Sequence, residues 1–479
     1  MLCIAIKNEE SKKMVGPAIL HRVRRVLSKE KTDLLLAYIR NGNVMTVRDK
    51  LALIIQLSVP SILAQITQIL MFFIDAAMVG HLGAEPSAAI GLVESTTWLL
   101  GSLTGAVAVG FSVQVAHAIG ENDMRKARRV FRHGLVCALV ISLIIVAVGS
   151  LCASSLPQWL GGAEEIRHDA SLYFLVWVLL MPAFQISNLC GSMLKSSGDM
   201  RTQSIGSVMV CFLDVLFNYF FIFILGMGVV GAALGSACAI TINMFYQGYF
   251  AIFRNKMLAL RQDAERFVWN WLYVRKAAKV SAPIAVQSFL LSGAQIVSTM
   301  IVAPLGVVAI AANTFAITAE SLCYMPGYGL GDAAATLIGQ SKGAQRRDLC
   351  WSFAKMTVGA GMAVMAFMGV VMYIFAPEMM SLMTPVAEIR DLGAEVLRIE
   401  AWAEPMFAAA IVCNSCMVGA GDTLKPMFLN LLTMWCIRLT IAALLASNYG
   451  LQGVWFGMAV ELSVRGMLFL IRLKRKNWM

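Results

Sequence analysis

Apolar residues run along this chain in long blocks, without alternation. No Asp, Glu, Lys or Arg occurs in 51–74, 95–120, 133–163, 170–194, 215–253, 280–319, 356–377 or 439–460. A helix of about 20 apolar residues crosses a bilayer core of about 30 Å. The two longest blocks, 215–253 and 280–319, therefore hold two spans each. They are parted at Leu225-Gly226-Met227-Gly228 and at Pro304-Leu305-Gly306. The pattern predicts twelve helices, near 51–79, 86–112, 132–153, 168–190, 203–224, 229–252, 272–302, 307–338, 350–375, 388–417, 424–446 and 451–471. The segments lack period-two alternation and are too long for barrel strands. The expected fold class is all-α integral membrane.

The twelve helices fall into two copies of a six-helix unit. Shifted by 223, the sequence lays Ser58-Val59-Pro60 on Ser281-Ala282-Pro283 and Leu82-Gly83 on Leu305-Gly306. The same shift lays Glu165-Ile166-Arg167 on Glu388-Ile389-Arg390, Pro182 on Pro405, and Gly198-Asp199 on Gly421-Asp422. Near the end of the second helix the identities suggest a shift of 219, with Ile119-Gly120 on Ile338-Gly339. Near the sixth helix the shift is 222, with Gly228, Gly231 and Gly235 on Gly450, Gly453 and Gly457. An even number of helices per unit gives both copies one orientation, so a pseudo-two-fold along the membrane normal relates them. The expected organisation is a basic N-terminal extension over 1–50, a lobe over 51–253, a linker over 254–271, a second lobe over 272–472 and a basic tail over 473–479. A duplicated bundle of this kind reads as a transporter whose lobes rock about a central cavity.

Composition agrees with the helix count. Of 479 residues, 59% are hydrophobic and 14% charged, against about 25% charged in soluble domains. A soluble enzyme, a disordered chain and a nucleic-acid-binding module are excluded. The net charge of +11 sits in short stretches between apolar blocks. With a cytoplasmic N-terminus, the inner segments collect 33 of the 39 Lys and Arg residues, and the outer loops hold Arg167 and Arg390. The positive-inside rule then puts both termini in the cytoplasm of a multi-pass plasma (bacterial inner) membrane protein. The stretch 1–50 is too charged for a cleavable signal peptide. It reads as an amphipathic surface segment or as an extended start, with Met45 a candidate internal start. The 11 cysteines lie mostly in predicted helices, and Cys413 and Cys416 read as packing residues. The five histidines are scattered near helix ends and loops, and no HExxH, Gly-x-Ser-x-Gly or Walker pattern occurs. An enzyme and direct ATP drive are therefore not expected.

Ionisable residues inside a membrane are costly unless paired or hydrated, so each is a functional candidate. The first lobe carries Asp75, Glu94 and Asp214, with no Lys or Arg in its membrane part. Acids without a basic partner favour a bound cation or protonation. Asp214 and Asn218 are four apart and share a helix face. At about 1.5 Å per residue, Asp75, Asp214, Asn218 and Ser236 fall in the outer half of the lobe, where they can meet. A sodium ion takes oxygen ligands of this kind; a proton needs only a carboxylate. The second lobe holds Glu320, Glu404, Arg438, Glu461 and Arg465 near mid-membrane. These read as an ion-pair network or as a second site, with Glu404 its leading candidate. The 30 Met and 24 Phe suit an adaptable cavity as well as a lipid-facing surface. Gln65, Gln68, Asn188, Gln287 and Asn313 either line that cavity or bond helix to helix.

The chain resembles the multidrug and toxic compound extrusion (MATE) family. The resemblance runs from about residue 51 to 472. Its carriers are Asp75-Ala76-Ala77-Met78-Val79-Gly80-His81-Leu82-Gly83, the paired Pro60 and Pro283, the Gly198-Asp199 and Gly421-Asp422 turns, and Leu225 to Ala233 leading into the sixth helix. It implies a secondary exporter of organic, cationic and amphipathic molecules in exchange for inward protons or sodium ions. No cofactor beyond the coupling ion, no nucleic acid and a monomer in the bilayer are expected. In the branch with an N-terminal cation site, the first helix supplies an Asp, matched by Asp75. The fifth supplies an Asn and, four later, an Asp; here Asp214 and Asn218 stand in exchanged order. Ser236 falls at a hydroxyl position, and Pro60 at the proline where the first helix bends. The other branch's acids fall on Leu291 and Phe407, which cannot hold a cation. A flippase for lipid-linked saccharides shares the architecture but needs embedded bases for pyrophosphate.

Overall fold

A computed structural model of the chain describes residues 29–263 and 267–479. The part of the basic extension over 1–28 lies outside the described residues. Among the described residues the chain is almost wholly helical, with no strand. A short helix, α1 (Lys29–Arg40), precedes the membrane helices α2 (Val47–Gly80), α3 (Ala84–Gly120), α4 (Met124–Cys152), α5 (Glu164–Ser196), α6 (Met200–Asn218) and α7 (Gly228–Tyr249). The second unit holds α8 (Trp271–Val302), α9 (Val307–Gly343), α10 (Arg347–Met383), α11 (Ala387–Ala401), α12 (Glu404–Gly419), α13 (Leu424–Leu432) and α14 (Leu439–Lys474).

Among the described residues twelve crossings result, three of them divided differently from the expectation. The helix expected over 388–417 is broken at Trp402–Ala403 into α11 and α12. Pro405 contributes to the break, because it has no N–H for the Ala401 carbonyl. Gly369 of α10 packs directly against that freed carbonyl. The last two crossings form one run, Leu424–Lys474, bent at Gly450, whose φ of 57° and ψ of −138° interrupt the helix. Most helices also outrun their apolar blocks. The charge-free pattern marks the hydrocarbon span, whereas the helix continues into water until a polar cap stops it. Thr46 and Asp49 form a reciprocal capping box at α2. Asp123, Asp199 and Asn270 cap α4, α6 and α8 by accepting from backbone N–H groups.

The duplication is visible in the backbone. α3 and α9 each span 37 residues, and both begin after a glycine with positive φ, Gly83 at 114° and Gly306 at 98°. Both are followed by a non-glycine in the same region, Asn122 at 60° and Gln345 at 57°. Gly198 at 87° and Gly421 at 82° match likewise. The register between α3 and α9 is therefore 223 throughout, and the shift to 219 read from Ile119-Gly120 is corrected. A four-residue slip returns to the same helix face. Gly339 and Gly343 both lie on the face of α9 that packs on α3, so the identity fell on the wrong turn.

The units join through two equivalent pairings, α2 with α9 and α8 with α3. At the end of the molecule that carries α1 and the C-terminus, the approach is close. A Cβ at Gly120 would overlap the Gln340 carbonyl, and one at Gly343 would overlap the His117 carbonyl. His117 Nε2 lies 3.0 Å from the Gly419 carbonyl, and Gln340 donates to the Ser196 carbonyl at 2.8 Å. α1 lies across this end, burying Leu35, Leu36 and Ile39 in the core. Leu36 fills the space above Gly198, and Lys29 pairs with Asp199 at 2.9 Å. The carbonyls of Tyr38 and Asn43 accept from Arg346 of the second unit. Met45 is buried in the same cluster.

Candidate cation site

Asp75 lies on the last turns of α2, and Asp214 and Asn218 lie one turn apart on α6. The structure brings these three together. Asn218 Nδ2 donates to Asp75 Oδ1 at 3.0 Å and to Asp214 Oδ2 at 3.0 Å. Asp214 and Asn218 are almost wholly buried, at 1% and 2% exposure, while Asp75 is half-buried. One neutral amide thus spends both its hydrogens on two carboxylates. Among the described residues, no Lys or Arg forms an ion pair with either acid. Two carboxylates sharing one amide form an acidic cluster that a proton can complete, or a hard cation once the Asn218 oxygen turns from Gly235 toward it.

The third wall is α7. Gly235 stands against Asn218, whose backbone nitrogen would be 2.8 Å from a Cβ there and whose side-chain oxygen a Cβ would overlap. Sequence reasoning used Gly235 only to align the repeats and missed this role. Ser236 follows it, half-buried, and among the described residues makes no hydrogen bond to the trio. Glu94 is exposed on α3 and accepts from Trp98 Nε1 at 3.3 Å, and among the described residues it makes no hydrogen bond to the trio. Pro60 lies inside an unbroken α2, where its carbonyl accepts from Ser204 at 2.6 Å.

In the second unit Glu461 and Arg465 form a two-pronged pair at 2.7 and 2.6 Å. Arg438 reaches the Met458 sulfur instead of a carboxylate. Glu404 is fully buried without a hydrogen-bond partner, and so is Glu400, one turn before it across the broken helix. Glu320 is buried as well. The ion-pair network therefore closes only at Glu461. Glu400 escaped the sequence reading, although its four-residue spacing from Glu404 was a usable signal.

The fourth crossing is longer than expected and brings a base to the contact between the units. α5 runs to Ser196 and carries Lys195 inward, where Nζ lies 2.8 Å from Asp332 Oδ2 of α9. The expected end near 190 equated the end of the charge-free block with the end of the helix.

Comparison with known proteins settles the family. The MatE family model matches the chain twice, over residues 60–220 and 283–444. The chain belongs to the MatE family. The two matches begin at Pro60 and Pro283, the residues that set the repeat. A probable multidrug resistance protein NorM of Thermotoga maritima is 24% identical over 447 residues, covering 92% of this chain and 95% of that protein. An uncharacterized transporter YisQ of Bacillus subtilis is 22% identical over 84% of this chain and 90% of its own. Among solved structures, a MATE in complex with MaL6 superposes with a TM-score of 0.85 at 20% identity, covering 93% of this chain and 99% of that one. An outward-facing multidrug resistance MATE family transporter gives 0.84 at 21% identity, covering 89% and 96%. The MATE fold, twelve membrane helices in two six-helix repeats, is thereby established for this multi-pass membrane protein.

Proposed function

We propose that the chain is a secondary active multidrug exporter that expels small organic cations in exchange for inward protons or sodium ions. The observation that carries the reading is the Asn218 amide bridging Asp75 and Asp214 with no basic partner. Filling that pocket neutralises charge at the α2–α6 contact, and α2 also packs on α9 of the other unit. Ion uptake at Asp75 is in this way linked to the seam between the units, with Pro60 as the weak point of α2. A membrane potential contributes about 2.3 kcal/mol per charge per 100 mV. The Lys and Arg distribution supports cytoplasmic termini in a plasma membrane, so the sealed end is the inner one. The moving units are the lobes over 51–253 and 272–472, acting as a monomer. The names of the relatives support the same activity and are those of transporters, not enzymes. A lipid-linked saccharide flippase is disfavoured, because among the described residues Lys195 is the one base lining the cavity between the units and Asp332 beside it repels a pyrophosphate.

The test is export of a fluorescent organic cation from proteoliposomes, with sodium and pH gradients imposed separately. Wild type should respond to one gradient and Asp75→Asn to neither, at equal insertion. Full gradient-driven export by Asp75→Asn removes the site from the mechanism.

A further inference from the structure

A cavity of about 290 Å³ lies between the two units, the share of roughly ten water molecules. Its walls come from α3, α5, α8, α9 and α12. They are mixed: Val109, Val113, Ile284 and Val418 line it together with Gln287, Asn414, Ser192 and Thr336, beside two charged groups, Lys195 and Asp332. The charges belong to different units and form an ion pair at 2.8 Å. Asp332 Oδ2 also accepts from Ser61 at 2.7 Å and from Gln65 at 3.4 Å, both on α2. Three donors of the first unit thus converge on one oxygen of the second.

The pair is not used up. Among the described residues nothing donates to Asp332 Oδ1, and Lys195 spends one of its three N–H donors on Asp332. Both side chains remain about a quarter exposed, at 24% and 27%. A guest bearing only an ammonium could satisfy Asp332 but would strip Lys195 of its counter-charge. A guest bearing only a carboxylate does the converse. Leaving a charge unpaired in a confined site costs more than the new contact returns. A guest with both groups exchanges one ion pair for two and leaves the cavity neutral.

We propose that this cavity binds amphoteric organic molecules, with Lys195 taking the carboxylate and Asp332 the ammonium. The inference rests on the transport reading and narrows its substrates to ammonium compounds that also carry an anionic group. Binding pulls Lys195 away from Asp332 and so loosens the bond between the units as the guest is seated.

The probes are phenylalanine, its methyl ester and 3-phenylpropionate, which share a shape and differ in charge. Affinities are measured by calorimetry on the full chain in nanodiscs. Phenylalanine should bind roughly tenfold more tightly than either analogue, the worth of one charge-assisted contact. Lys195→Gln should erase the preference over the ester and keep that over phenylpropionate. Asp332→Asn should do the reverse, and Lys195→Arg should keep both. Equal affinity of wild type for phenylalanine and its ester, preferences unchanged in the variants, or binding of no probe overturns the proposal. Dye export under imposed gradients judges the transport reading separately: it can persist while the amphoteric preference fails, and its absence in wild type condemns transport whatever the cavity binds.

Discussion

Gly235 leaves room for Asn218 that no other residue would leave. A Cβ at 235 would meet the Asn218 side-chain oxygen and its backbone nitrogen together. Gly235→Ala should therefore push α7 off α6 and pull the amide from the two carboxylates while removing no ligand. Overpacking of this kind costs about 1–3 kcal/mol. Gradient-driven dye export should fall at least tenfold, with a lower unfolding temperature in detergent. Gly105→Ala, where a Cβ meets nothing within 4 Å, should leave both measurements unchanged.

The exchanged order of Asp214 and Asn218 yields a second expectation. The double variant Asp214→Asn/Asn218→Asp keeps two carboxylates and one amide on the same face of α6. It should retain coupled export, while Asp214→Asn alone should lose it. Dye export by the single variant at the wild-type rate would show that Asp214 is only a packing partner.

At the sealed end, Gly120 and Gly343 each face a backbone carbonyl of the other unit. Backbone cannot give way as a side chain can. Gly120→Ala and Gly343→Ala should each destabilise the protein by about 1–3 kcal/mol. The double variant should cost less than the sum, since both relieve their strain by opening one seam. Thermal unfolding of the four proteins decides this.

Helix α1 offers a test of packing against charge. Leu36 is fully buried against Gly198, so Leu36→Ala should cost about 2–5 kcal/mol if α1 unfolds with the rest. Lys29 is largely exposed beside Asp199, and Lys29→Ala should cost under about 1 kcal/mol. Limited proteolysis near residue 45 should accelerate for the first variant and not for the second.

Much of this was legible in the sequence because the membrane imposes a coarse rule. Charge-free blocks marked the crossings, and unpaired acids marked Asp75 and Asp214. What stayed hidden depends on contacts between distant segments. Lys195 looked like a loop residue until α5 was seen to continue to Ser196. Glu400 stood four residues from Glu404 in the sequence, but its burial without a partner depends on how the helices pack. Ser236 has the right residue type and position in the chain, yet makes no hydrogen bond to the trio. The false shift at Ile119-Gly120 arose because a helix repeats its surface every turn, so identity alone could not tell one turn from the next.

The seam at Gly120 and Gly343 is isologous: each unit offers the other the same glycine and the same carbonyl, from equivalent places in the repeat. Two separate copies of one six-helix unit could meet in this way, so the chain behaves as a homodimer written in a single polypeptide. In a true homodimer every substitution appears twice. Here it appears once, and each half is free to specialise. The position of Asp75 in the first half is held by Ser298 in the second, so the acidic trio can exist on one side alone while the shared seam stays symmetric.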